Sequence, residues 1–325
     1  MMHNDTASIF NATIAASALA AAFEVGLLEE LQQRGQVQID AYCETHDLHR
    51  PSVGAVLSAL QSCQIVSLDH TQAVVEPGDL FRQAYLNKGY FSWLTGGYGQ
   101  MLQNLGSMIQ NAHRQGDFAG RDGKRIAWAG RDYGAQFVES HFEQVLGEMP
   151  FTAGADIGCG SADRLIRLSK ARPDFRGVGI EINRGAAELA RNAIRAAGVQ
   201  DRIQVLQNDI QTLDPTPECR EVEVMFSFFM GHDLWPREAC LAALRRLRTL
   251  FPNARRFLLC DTYRSGALGN GDVPIFTLGF ELTHAVMGHY VPTKEEWLDL
   301  FAESDWTCVG ERAIDIPYSC IFDLR

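Results

Sequence analysis

The sequence predicts an α/β protein, a mainly parallel sheet with helices on both faces, preceded by a smaller helical domain. Three observations point that way. From residue 150 on, apolar strand-like runs alternate with segments of helical period. A glycine-rich turn, "DIGCG", follows the first of those runs and opens a helix. The chain has 325 residues, 46% of them hydrophobic, which suffices for a full core and more than one domain.

Residues 1–82 read as small helices followed by a hairpin. "SIFNATIAASALAAAFEVGLLEEL" is Ala-rich and apolar at helical spacing, so it is expected to be buried nearly all round, and a second copy of the chain would bury it. "QIDAYCETHDLHRPSVGAVLSALQSCQIV" reads as helix, turn, helix, with Pro51 at a helix start, and "IVSLDHTQAVVEP" alternates like a two-stranded wing. Together these resemble a winged helix, which implies either DNA binding through the second helix or dimerisation. That helix offers His49 and Arg50 near its start and no Lys after them, so phosphate contacts would be scarce. The expectation is an all-helical, winged-helix-like dimerisation domain and a homodimer.

Composition narrows the partners. A net charge of −11 without a basic stripe argues against nucleic acid. The N-terminus lacks a basic region followed by an apolar run, and no apolar stretch is read as reaching the about 18 residues of a membrane span. The eight cysteines are scattered with no C-x-x-C pair, as expected of free thiols in a reducing cytoplasm.

Residues 83–149 are mostly helical with glycine clusters at "LTGGYGQ" and "QGDFAGRDGK", the pattern of a connector that also covers a pocket. Residues 150–325 form the sheet domain. "GADIGCG" is strand and turn, followed by a helix from about 162, the strand "GVGIEI", a helix over 185–197 and the strand "IQVLQND". The strand "EVMFSFFM", a helix over 237–250 and the strand "RRFLLCDT" complete the pattern.

In "ADIGCGSADR", Asp156, Gly158 and Gly160 form D-x-G-x-G, where glycines let the backbone turn sharply beside a ligand at a helix N-terminus. Ala162 stands where the longer dinucleotide fingerprint has its third glycine. Glu181 ends the next strand, where an acid can bind ribose hydroxyls, and Asp209 ends the one after. An acid at the end of each of three consecutive strands resembles the class I S-adenosylmethionine-dependent methyltransferases, over about 150–265. A nicotinamide enzyme places its turn similarly. The resemblance implies a Rossmann-like domain in which Asp156, Gly158, Glu181 and Asp209 line the S-adenosylmethionine site. Ile182, Ile210 and Phe229 would pack beside the adenine or the sulfonium.

The fourth strand of that domain ends on His232 and Asp233, where open α/β sheets bind ligands. Three readings compete. Asp233 could cap the helix near Pro236. His232 could act as a base, since "HDLW" resembles the His-Asp-Trp motif of small-molecule O-methyltransferases with winged-helix dimerisation domains. The pair could bind a metal with a second histidine, His284 or His289. The third reading has the longest resemblance. "MGHD" followed by "WPRE", then "NARRFLLCD", "FTLGFE" with a His and "MG" behind it, and "IFN", "HDLH" and "FSWL" nearer the N-terminus resemble the enzymes that methylate the β-carbon of α-keto acids.

That resemblance implies a set of roles. His232, Asp233 and His284 would hold one divalent ion, iron or zinc. Arg121 in "DFAGRDGK" would bind the substrate carboxylate, with Arg125 or Arg131 as substitutes, and Trp93 would wall the substrate pocket. The reaction implied is metal-assisted methylation at C3 of an α-keto acid, with 2-ketoarginine favoured over phenylpyruvate. The alternative is O-methylation with His232 as general base.

Overall fold

The computed structural model describes residues 6–69, 71–116, 118–147, 149–266, 268 and 273–325. His70 in the expected wing and Asp117 in the second glycine cluster lie outside them. The chain divides into two compact units, one up to Leu102 and one from Gln103 to Arg325, so residues expected to form one connector over 83–149 are shared between them.

The N-terminal unit contains helices Thr6–Glu24, Leu27–Arg34, Ile39–Thr45, Arg50–Ser62 and Phe81–Phe91, and a π-helical turn Ser92–Gly97. Pro51 sits in the first turn of its helix, where its missing N–H costs nothing. The unit is not all-helical. Strand β1 (Val37–Gln38) pairs with β3 (Val74–Pro77), which pairs with β2 (Val66–Asp69), all antiparallel. The extra strand arises because "VQ" brings Val37 opposite Val75, where both are buried. A second expectation also needs correction. Thr6–Glu24 has 19 residues and is long and apolar enough to cross a membrane by composition alone, because its alanines extend the apolar run. Here it packs against Arg50–Ser62, Phe81–Phe91 and the turn after them. Ile9, Phe10 and Ile14 on it are exposed.

The C-terminal unit begins with helices. Asp122 caps Gly123–Phe137 by accepting from the Arg125 N–H at 3.0 Å. A seven-stranded sheet follows: β4 (Ala153–Ile157), β5 (Arg176–Glu181), β6 (Ile203–Gln207), β7 (Val224–Phe228), β8 (Arg256–Thr262), β9 (Cys308–Ala313) and β10 (Ser319–Leu324). Their order is β6-β5-β4-β7-β8-β10-β9, parallel except for β10, which runs antiparallel to both neighbours. Strands β4, β7 and β8 are buried along their whole length, which is why they read as continuous apolar runs. The helices fall as expected at Asp163–Ala171, Arg184–Ala196 and Arg237–Leu250. The chain leaves β4 toward β5 on one side and returns to β7 on the other, so a crevice opens beyond the ends of β4 and β7.

Candidate active site

The turn after β4 is built on left-handed glycines, Gly158 at φ 76° and Gly160 at φ 52°. Gly158 and Cys159 donate their N–H groups to the Ile180 carbonyl at 2.8 and 3.1 Å, fixing the turn to β5. Glu181 at the end of β5 accepts from the N–H groups of Gly160 (3.0 Å) and Asn183 (2.8 Å). Burial nevertheless raises its pKa. Asp209 lies two residues beyond β6 rather than at its end, and its Oδ1 accepts from the Gln211 N–H at 2.9 Å.

These residues line a cleft of about 500 Å³ within the C-terminal unit, together with Gly158, Ile182, Ile210, Phe229, Asp233, Arg121 and Tyr133. That volume suits a drug-sized ligand. Ile182 is 66% exposed, an apolar face ready to cover a flat ring. Acceptor carboxylates, close-approach glycines and apolar plates fit an adenosyl ligand.

Asp156 does not line this cleft, contrary to its expected role. Its side chain is buried, and neither oxygen has a hydrogen-bond partner. Burial pushes its pKa up to about 7, with Arg164 opposing. Trp93, expected in the substrate pocket, is buried in the N-terminal unit with its ring 4.7 Å from Tyr98.

Beyond β7 a short turn, Gly231–Leu234, carries His232 and Asp233. Asp261 in β8 holds His232 twice: Oδ1 accepts from Nδ1–H and Oδ2 from the backbone N–H, both at 2.7 Å. Glycine is required before it, since a Cβ on Gly231 would lie 2.8 Å from Asp261 Oδ2. His284 comes from the helix Thr277–Met287 and donates Nδ1–H to the Phe280 carbonyl at 2.7 Å. The two Nε2 atoms then face each other at 3.0 Å. Asp233 Oδ1 lies 3.8 Å from His232 Nε2, and ligand atoms of all three residues fall within 4.8 Å of one another.

The electrostatics follow from this packing. Burial alone would lower the His232 pKa, but the Asp261 carboxylate outweighs it and raises it. Burial and the neighbouring His232 hold His284 down to about 3, so it is neutral. With its Nδ1–H given to the Phe280 carbonyl, His284 turns the lone pair of Nε2 toward His232 across the 3.0 Å gap. Burial resists ionisation of Asp233, yet the His289 hydrogen bond and the His232 and Arg121 charges hold its pKa well below the usual range. His289 Nδ1–H donates to Asp233 Oδ1 at 2.7 Å, and Arg121 Nη2 reaches Oδ2 at 3.2 Å. Asp233 therefore does not cap the helix starting at Arg237, for which no side-chain cap is formed.

This donor set fits a divalent ion. Two nitrogens each ~2.1 Å from one ion at a right angle would stand ~3 Å apart, close to the separation seen. An ion there would need both Nε2 atoms free of protons. His284, not His289, completes the set. Of the three candidate arginines, Arg121 reaches Asp233, Arg131 lines the cleft, and Arg125 pairs with Asp122.

Sequence reasoning missed Asp261, whose signal was an acid inside an otherwise apolar strand. It also missed an aromatic wall. The Phe280 ring lies tilted 4.1 Å from the His284 ring and edge-on 5.0 Å from His232. Phe276 lies 5.2 Å from Phe280, and Tyr133 spans 6.1 Å to Phe276 and 5.8 Å to Phe229. Phe229 and Phe276 both hold positive φ, 54° and 76°, strained backbone of the kind that clusters at ligand sites.

Residues 155–251 match the family model "Methyltransferase domain". The chain is 37% identical over 330 residues to "Methyltransferase ungE'" of Aspergillus campestris (strain IBT 28561), covering 98% of this chain and 96% of that one. It is 27% identical over 325 residues to "Indolepyruvate C-methyltransferase" of Streptomyces griseus, covering 98% and 94%. Among solved structures, "PigF with SAH" superposes with a TM-score of 0.67 at 18% identity, covering 99% of both chains. The Gly-rich turn of the cleft, Glu181 at the end of β5 and Asp209 beyond β6, with an end-to-end likeness to a methyltransferase at this identity, show that the chain belongs to the class I S-adenosylmethionine-dependent methyltransferases.

Proposed function

We propose that this enzyme methylates C3 of an α-keto acid with an aromatic side chain, assisted by a divalent ion held by His232, Asp233 and His284. The observation that carries this reading is the pair of Nε2 atoms 3.0 Å apart, each ring's Nδ1–H already committed to an outer acceptor, with Asp233 beside them. An ion bound there would act as a Lewis acid toward the keto oxygen and stabilise the charge that develops on it. Loss of the C3 proton gives the enolate. C3 then attacks the sulfonium methyl, a C–C bond forms, and the S–CH3 bond breaks to leave S-adenosylhomocysteine. Phe229 lines the cleft beside the triad turn and helps hold donor and acceptor in contact, roughly 3 to 3.5 Å apart. Arg121 would leave Asp233 to pair with the substrate carboxylate, a match for its planar guanidinium.

The wall of Tyr133, Phe229, Phe276 and Phe280 supports an aryl side chain, as does the relative named for indolepyruvate. This reading therefore moves from the 2-ketoarginine favoured on sequence toward an arylpyruvate. O-methylation with His232 as base is less well supported, because His232 is buried and its Nε2 is already engaged by His284 Nε2 at 3.0 Å. We also propose that the enzyme is a homodimer, joined through the exposed apolar side chains in the N-terminal half of Thr6–Glu24.

Elemental analysis before and after chelation, with methyl transfer to a panel of keto acids and phenols, tests the chemistry. About one equivalent of metal per chain and chelator-sensitive 3-methylation of arylpyruvates are expected. Metal-free protein that methylates phenols would overturn it.

A further inference from the structure

Each of the three proposed metal ligands is held from outside by a second group, but not equally. His232 is fixed by Asp261 and His284 by the Phe280 carbonyl, both deep in the unit. Asp233 is more open, its side chain 22% exposed against 2% for His232. A carboxylate turns readily about its last torsion, so an exposed one needs a partner to present one oxygen steadily. Two side chains hold it, Arg121 on Oδ2 and His289 on Oδ1. Arg121 is the group assigned to the substrate carboxylate, so it cannot hold Asp233 throughout the reaction. His289 can.

The chain makes His289 well suited to that task. Its backbone N–H donates to the His284 carbonyl at 2.9 Å, closing the helix that carries His284. Gly288 between them is left-handed at φ 81°, the turn that ends the helix and brings His289 back beside it. The His284 and His289 rings stand 6.2 Å apart. One helix end thus supplies a ligand and the group that steadies another, and the spacing H-x-x-x-G-H is what permits it.

We propose that His289 is the positioning residue for Asp233. Its Nδ1–H occupies one lone pair of Oδ1 and leaves the oxygen's other lone pair for the ion. The proposal rests on the metal reading given above. His289 itself is not a ligand.

The test is zinc affinity of the full chain at fixed pH, by competition against a chromogenic chelator, for wild type, His289→Ala and His289→Asn. Asparagine can place an amide N–H near the position of Nδ1. The expected result is a loss of about 10- to 100-fold for His289→Ala, the range seen when outer partners of ligands are removed. His289→Asn should recover most of it, with S-adenosylmethionine affinity unchanged in both. Wild type that binds zinc while the variants bind equally well would overturn this proposal alone. Equal losses in both variants, or loss of S-adenosylmethionine binding alongside, would make the role merely structural and overturn it too. Wild type that takes up no zinc would overturn the metal reading and, with it, this one.

Discussion

Asp156 is a carboxyl group that the fold isolates: its two oxygens meet no donor, and burial raises its pKa to about 7. An acid whose pKa is higher folded than unfolded binds more protons in the native state, so stability falls as pH rises through the interval between the two values, here about 4 to 7. The cost at pH 8 is on the order of 4 kcal/mol, from about three pKa units. Asp156→Asn removes the charge and should stabilise the ligand-free protein at pH 8, and only about a third as much at pH 5. Thermal unfolding at the two pH values checks this, and an equal effect at both would refute it. Site residues were legible in proportion to how far their chemistry showed locally. His232 and Asp233 announced themselves by ending a buried strand, and Glu181 by ending another. Asp156 did so as well, but spacing could not tell a carboxyl that lines the cleft from one buried away from its surface. Asp261 sat unremarked in "LLCDT" because its partner is 29 residues earlier in the chain.

Elements carry the site because their ends meet, and at Gly231 the turn after β7 packs against β8. A Cβ there would lie 2.8 Å from Asp261 Oδ2, 2.9 Å from Leu259 Cδ1 and 3.2 Å from Trp297. None of these is a loose side-chain tip: Asp261 is held by His232 and Thr262, and Trp297 is fully buried. Gly231→Ala should therefore cost about 1–3 kcal/mol of stability and loosen the Asp261 hold on His232. Zinc affinity should fall while S-adenosylmethionine binding, which depends on the turn after β4, persists. Parallel titrations of both ligands measure this, and unchanged zinc affinity would count against the coupling of Asp261 to the site. Helices with clear apolar periodicity were readable from the sequence. Thr277–Met287 was not, because it is apolar nearly all round and starts from a strained Phe276 without a side-chain cap. Its end was marked only by Gly288.

At the scale of the molecule, the alternation of strands and helices was enough to foresee a parallel sheet, while its strand order came only from the folded chain. Long-range pairing, such as β10 inserted between β8 and β9, leaves no local trace. The association of two chains is likewise a property of surfaces rather than of runs. Ile9 and Phe10 are each 69% exposed and Ile14 51%, in the N-terminal half of a helix whose buried residues all lie from Ala15 onward. Exposed apolar side chains grouped on one helix are costly in water and mark a contact surface. A closed two-fold contact would place the same face of each copy against the other. Phe10→Glu combined with Ile14→Glu would set like charges against one another in that contact and convert a dimer to a monomer, as read by light scattering after size-exclusion chromatography over a range of concentrations. Neither residue lies in the donor cleft, so the affinity for S-adenosylmethionine should stay within a few-fold of wild type. Wild-type protein that elutes as a monomer at every concentration would show that this face serves something other than a second copy.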